Sequence, residues 1–420
     1  MASVASAVQP AQNAWRGAAE FAGYGGSVLL LQALRFGVNI LCARLAGPSD
    51  WGLWTLLNTV LAYSYIADFG VVNGMNRDVA LFRGRGDTAQ VARIENTSKS
   101  LVLCTSVLCA LVAAGFAFHT QDSQRRTVLL IFAVLLLFYK LFNFAQVYSM
   151  AHDDFTRVTK ANFWLAAVTV PCVLLVFVWG LPGFLWAQVL SFAVGGYLYI
   201  APLASNFHWG LDRAELARLA IGGIPIAAVG FAATFIGSID RWLVAGFLGV
   251  HSVGHYSLVI MAWSTIGLVP QIIASRMYPR LAEEWGRTAD LRLVARLLKQ
   301  STWVGLALTA PLVLAVEIVA PQIVMRFLPA YNGGIAAMRI AALGFLFQAV
   351  TCCYSNIFNV VAKQQYLLAV QALAAISTIA VTASLLALGW GLEGAAVGAT
   401  FGSCIYCGGA IAAVRLLIRA

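Results

Sequence analysis

Seven charged side chains stand where a charge is expensive. The chain of 420 residues is 61% hydrophobic and 10% charged, and inside its apolar runs lie Arg35, Asp68, Lys140, Asp240, Arg241, Glu317 and Arg339. A charge at the centre of a bilayer-spanning helix costs about 2.5–3.5 kcal/mol on insertion scales, so such a residue faces a wet cavity or a partner. Salt bridging, for instance Asp240 with Arg339, is one way to close the account, and Glu317 lies near enough to a helix end to reach the interface. Arg35 and Lys140 are deeper, with at most one acid close in sequence to serve both. Two such cations are completed by an anionic ligand, for which Arg offers a bidentate fork and Lys a mobile point charge. Arg35, Lys140, Arg241 and Arg339 are therefore the expected binding residues, with Asp68 and Asp240 as ion-coupling or counter-charge positions.

Other chemistry finds no support. The chain lacks the GxxxxGK[ST] pattern of a phosphate-cradling loop, so energy must come from an ion gradient, a partner or the substrate's own gradient. His119, His152, His208, His251 and His255 all fall in loops or at helix ends, and nothing is spaced as a nucleophile–base pair or a metal site. Cys404 and Cys407 form a CxxC, but inside an apolar run without partner ligands, where cysteine packs as a small hydrophobe. No enzymatic activity, cofactor, metal or disulfide is expected.

The elements that position these charges are membrane spans. A spanning helix needs about 20 apolar residues, and twelve segments meet that measure, near 22–46, 51–75, 99–118, 127–150, 161–180, 183–204, 219–247, 251–277, 299–320, 333–360, 364–388 and 393–414. The expected fold is an all-α polytopic membrane protein. The first twenty residues carry Pro10, Arg16 and Glu20 without an apolar core and read as a cytoplasmic tail, not a signal peptide. The inner connections 76–98 and 278–298 mix both charges at helical spacing, as interfacial amphipathic helices do. Gly394, Gly398 and Gly402 form a GxxxGxxxG ridge for close helix packing, and Pro171, Pro225, Pro270 and Pro311 mark candidate bends.

The net charge of +10 is distributed by topology. Nineteen of the 27 Lys and Arg, among them Arg77, Arg83, Arg85, Arg93, Arg276, Arg280, Arg287, Arg292 and Arg296, fall in connections that alternate to one side. That is the positive-inside bias, and it places both termini in the cytoplasm. Spread over separate connections, the basic residues form no contiguous patch for nucleic acid.

The chain also repeats itself. ARLAGPSDWGLWTL (43–56) returns 202 residues later as AGFLGVHSVGHYSL, pairing Gly47 with Gly249, Gly52 with Gly254 and Trp54 with Tyr256. At an offset of 203, Arg77 falls on Arg280, Asp87 on Asp290 and Arg93 on Arg296. Two matches in nearly one register point to a duplication, giving lobes 1–206 and 207–420 with six helices each. An even number per lobe makes the repeat parallel, about an axis along the membrane normal.

Four of these stretches carry a family resemblance: ARLAGPSDWGLWTLL (43–57), IADFGVVNGMNRDVA (66–80), SIDRWLVAGFLGVHSVGHYSL (238–258) and MYPRLAEEW (277–285). Together they resemble the Wzx-type polysaccharide flippases, part of the superfamily that includes the MATE drug exporters and the lipid II flippases. The resemblance implies two six-helix lobes around a cavity with alternating access, in the bacterial inner membrane. It implies as substrate an undecaprenyl-pyrophosphate-linked oligosaccharide for surface or exopolysaccharide, with a polysaccharide polymerase and a chain-length regulator as partners beside the membrane lipids. Twelve helices, without the extra pair of the lipid II branch, argue against a peptidoglycan precursor. Two rivals stay open: a MATE-like antiporter of small organic cations, which calls for acids to dominate the cavity, and a non-transporting scaffold of a polysaccharide assembly complex, which has little use for buried charge.

Overall fold

A computed structural model describes residues 23–418 except 205, 206, 275, 279, 289 and 362; the expected tail with Pro10, Arg16 and Glu20 and the last inner cation, Arg419, lie outside the described residues. Among the described residues every regular element is a helix. The first two are α1 (23–46) and α2 (48–63), parted at Gly47, whose φ of 75° and ψ of 171° leave helical space. A 3-10 turn, Ser64–Asp68, leads into α3 (Val71–Gly84), α4 (Thr88–His119), α5 (Ser123–Ala151), α6 (Phe155–Cys172) and α7 (Leu174–Ala204), the last broken at Gly180. Then follow α8 (Arg213–Ile236), α9 (Ile239–Leu248), α10 (Val250–Ile266), α11 (Leu268–Thr288), α12 (Leu291–Ile318), α13 (Ala320–Phe327), a second 3-10 turn, α14 (Ile335–Val360), α15 (Gln364–Ala387) and α16 (Gly391–Arg419).

Among the described residues ten helical stretches are long and apolar enough to cross a membrane. One of them, Gly23–Asp68, runs 46 residues, roughly 70 Å at 1.5 Å per residue against a hydrocarbon core of about 30 Å, and is two segments joined at Gly47. The expected span near 161–180 falls on the 18 residues of α6 and is not among the ten, so that eleven segments stand against the twelve expected.

Boundaries differ where the backbone is interrupted. The expected helix 219–247 is two, α8 and α9, because Gly237 and Ser238 form a turn between them. The expected helix 51–75 ends in the 3-10 turn at Asp68, and Phe69 (φ 48°) and Gly70 (φ 74°) reset the chain before α3. The connections 76–98 and 278–298 are helical, as the parts of α3, α4, α11 and α12 that flank short turns. Asp87, Asp122, Asp154 and Asp290 cap the helices that follow them, each accepting from a backbone N–H one to three residues into the helix, which offsets donors no intrahelical carbonyl reaches. Pro171 and Pro270 lie at helix breaks, whereas Pro225 and Pro311 stay inside α8 and α12.

Positions paired by the repeat share local structure. Gly249 has φ 83° and ψ 171°, matching Gly47; Asp87 and Asp290 are both caps; Trp54 and Tyr256 are both buried.

By packing the chain divides into two units. The first comprises Met1–Leu45 and Tyr63–Ala227, the second Ala46–Ala62 and Ala228–Ala420. In the first, Val71, Met75, Val79, Ile94, Val102, Phe144 and Leu219 form the core beneath α3, α4 and α5. In the second, Leu281, Val294, Leu298, Ile357, Phe358 and Leu367 do the same for α11, α12, α14 and α15. Since lipid tails are as apolar as Leu, helix association rests on close contact. Gly398 and Gly402 meet the side chains of Thr382 and Thr378 on α15 so closely that a Cβ at either would overlap a hydroxyl oxygen.

A polar cluster ties α4 to the end of α5 in the first unit. Glu95 Oε2 accepts from the Tyr148 hydroxyl at 2.7 Å and from Lys99 Nζ at 3.5 Å, while Oε1 lies 3.0 Å from His152 Nε2. The other ring nitrogen, Nδ1, is 2.9 Å from the Tyr148 carbonyl oxygen. Both nitrogens face acceptors, and only the imidazolium donates from both. The hydrogen bond to Glu95 accordingly raises the His152 pKa; burial opposes it, the Tyr148 carbonyl and the Glu95 charge add to it, and Arg83 opposes it.

Two measurements check these contacts. Gly398→Val is expected to cost on the order of 1–3 kcal/mol through overpacking and to lower the melting temperature in detergent, whereas Gly408→Ala, where a Cβ meets open space, leaves it unchanged. A histidine with a raised folded pKa stabilises fully below its unfolded value of about 6.5 and loses that contribution as pH rises through the folded value. The wild-type melting temperature should therefore fall relative to His152→Gln as pH rises above about 6.5. Parallel curves would show that the ring binds no extra proton.

Candidate functional site

In the first unit the site residues are set by the backbone interruption after α2. The 3-10 turn carries Asp68, 6% exposed, and Phe69 and Gly70 in left-handed conformations end it. Gly70 and Gly74 pack directly on the backbone of Gly223 and Leu219 in α8, with no room for a side chain at either. Lys140, 4% exposed, reaches from α5 into this break, donating to Asp68 Oδ1 at 2.8 Å and to the Ser64 carbonyl at 2.9 Å. The Thr105 hydroxyl, from α4, donates to the same carboxylate oxygen at 2.6 Å. Lys140 and Asp68 thus form a buried, hydrogen-bonded pair.

Arg35 is placed differently. It lies half-buried on α1, with its guanidinium carbon 5.7 Å from the centroid of the Phe192 ring, within cation–π range. Phe192 is in turn packed edge-on against Tyr139 at 5.4 Å. Among the described residues no carboxylate lies within ion-pair distance of Arg35.

In the second unit the turn at Gly237 and Ser238 starts α9 and presents Asp240 and Arg241 in its first turn. Asp240, 8% exposed, accepts from the Tyr256 hydroxyl at 2.7 Å and from the Arg241 backbone N–H at 2.9 Å. The first turn of a helix favours a carboxylate through its free N–H groups. Arg241 Nη1 donates to the Thr59 hydroxyl at 3.2 Å, and its buried Nε has no partner. Both residues line a cavity of about 260 Å³ walled by α8, α9, α10, α14, α15 and α16. Arg339 is exposed and pairs with Glu317 at 2.8 Å, so the anticipated Asp240–Arg339 bridge is replaced by one from α12 to α14.

Composition reasoning passed over the amides of this cavity. Gln371 is 1% exposed and donates from Nε2 to the Tyr406 hydroxyl at 3.0 Å and the Val229 carbonyl at 3.3 Å, while its Oε1 has no partner. Gln348 lines the same wall. The signal was available, because both are uncharged amides in the middle of apolar helices, where a polar group demands a partner.

The Asp68–Lys140 pair makes a double-mutant test. Removing one partner leaves an uncompensated buried charge, which costs about 3–5 kcal/mol, whereas replacing both with apolar groups is near neutral. Lys140→Met is expected to lower the melting temperature sharply and Asp68→Leu/Lys140→Met to restore most of the loss; equal melting temperatures for both would show that the pair is not coupled.

Residues 225–383 match the MatE family model. A curated relative, the putative O-antigen transporter of Shigella flexneri, is 21% identical over 256 residues, which are 57% of this chain and 60% of the relative; the match therefore spans about three fifths of that protein. An inward-facing multidrug resistance MATE family transporter of the MOP superfamily superposes with a TM-score of 0.76 at 13% identity, covering 92% of this chain and 94% of that one. The lipid II flippase MurJ in an inward closed conformation gives 0.67 at 12% identity, over 93% and 87%. The chain is a multi-pass membrane protein with the two-lobe fold of the MATE transporters, in agreement with the superfamily that its motifs resemble.

Proposed function

We propose that this protein is a flippase that carries undecaprenyl-pyrophosphate-linked oligosaccharide units across the bacterial inner membrane by alternating access, for surface or exopolysaccharide assembly. The observation that carries the reading is Arg35: a guanidinium deep in an apolar segment, held over Phe192 with no carboxylate among the described residues at ion-pair distance. Such a group is costly unless an anion meets it, and a diphosphate accepts from its fork. Lys140 and Arg339, paired with Asp68 and Glu317, and Arg241, bonded to Thr59, are met by partners of their own unit. Asp68 and Asp240 hold two of these residues as counter-charges or serve as coupling sites. The O-antigen name of the Shigella flexneri relative supports the substrate class. Both termini are taken as cytoplasmic, and the lobes as the duplicated halves 1–206 and 207–420. A polymerase and a chain-length regulator are the natural partners downstream.

A second reading, ion-coupled antiport of small organic molecules, is favoured by the MatE match at 225–383 and the likeness to a multidrug transporter. A scaffold without transport is the weaker rival, because it gives the buried cations no task.

Cells lacking the protein are expected to accumulate lipid-linked oligosaccharide on the inner leaflet and to stop polymer export. Arg35→Ala, inserted at normal level, should reduce export by roughly ten- to a hundredfold, the worth of one charge-assisted contact. Full export by Arg35→Ala overturns the phosphate assignment. Unchanged leaflet distribution together with lost extrusion of organic cations would establish the antiporter instead.

A further inference from the structure

We propose that the cavity within the second unit is a recognition subsite for a sugar ring of the substrate, separate in chemistry from the residues that meet the phosphates; this rests on the flippase reading above. Its lining decides the ligand class. The ionisable side chains of opposite charge on the wall, Asp240 and Arg241, offset each other, and the remaining polar groups are neutral amides and hydroxyls. A diphosphate calls for net positive charge and an organic cation for net negative charge, whereas a polyhydroxylated ring calls for neutral groups that donate and accept side by side. The volume of about 260 Å³ leaves room for a sugar ring.

The donors and acceptors are held in place for this purpose. Gln371 lines the cavity and is held by both contacts of its amide nitrogen, to Tyr406 and to the Val229 carbonyl, while its buried Oε1 has no partner among the described residues. A buried carbonyl without a partner is costly, and a sugar hydroxyl reached by a small rotation of the amide removes that cost. Gln348, on α14, donates to the Cys352 sulfur at 3.7 Å, a weak acceptor that a hydroxyl oxygen can replace. Trp263, tilted against Phe345 with ring centroids 4.7 Å apart, lines the same cavity and offers an apolar ring against which the CH face of a sugar packs.

The test measures binding to the purified full chain in nanodiscs, with two probes: undecaprenyl diphosphate, and the undecaprenyl-linked oligosaccharide pool extracted from the protein's own host. Wild type is expected to bind the sugar-bearing pool about tenfold tighter, the worth of one or two hydrogen bonds. Gln371→Leu should remove that preference while leaving the affinity for undecaprenyl diphosphate unchanged. Gln348→Met, at a half-buried position where packing is less demanding, provides the same reading should Gln371→Leu melt early. Equal affinity of wild type for both probes overturns the subsite and leaves the flippase reading standing, as does a preference that survives in both variants. Failure of wild type to bind either probe overturns the flippase reading, and the subsite with it.

Discussion

A charge inside a bilayer persists only where fixed atoms replace the water it has lost, and this chain supplies those atoms by interrupting its helices. The constraint is general, since a continuous spanning helix satisfies its own backbone and leaves nothing to offer a side chain. Between α2 and α3 the 3-10 turn and the left-handed Phe69 and Gly70 open the Ser64 carbonyl to Lys140 and set Asp68 beside it. Between α8 and α9 the turn at Gly237 and Ser238 gives Asp240 a helix start, where the Arg241 N–H and the Tyr256 hydroxyl hold it. Each unit therefore carries one buried carboxylate at one break.

Breaks of this kind demand backbone approach closer than side chains allow. Gly70 and Gly74 lie against Gly223 and Leu219 in the first unit, and in the second Gly52 lies against Val250 and Gly254, and Gly254 against Pro48. Gly52 and Gly254 are themselves partners in the internal repeat, so the duplicated glycines close on each other. Without a hydrophobic drive between lipid-bathed helices, such contacts supply the dispersion energy that holds each unit. Gly47 and Gly249, which the sequence pairs, both have a positive φ.

The two units differ in what they leave unsatisfied. The first holds its lysine against an aspartate and leaves a guanidinium over an aromatic ring, an arrangement that awaits negative charge. The second balances aspartate and arginine and leaves amide groups facing a cavity, an arrangement that awaits hydroxyls. A ligand with a diphosphate next to sugars has both features in one molecule, which is the physical content of the proposal for this protein.

The sequence by itself determined the place of most spans, the all-helical class and the presence of costly charges. These follow from one-dimensional rules: a span must match the bilayer thickness, and a charge in an apolar run is visible at once. Only the tertiary structure decided which charge meets which. Asp68 and Lys140 are 72 residues apart, Glu317 takes Arg339 in place of Asp240, and Glu95 and His152 join across 57 residues. Pairing of this kind depends on helix breaks and on which face each helix turns to its neighbour, and neither break was visible as a fall in hydropathy. Gln348 and Gln371 were legible as polar residues in apolar helices, but that they face one cavity is a property of packing alone.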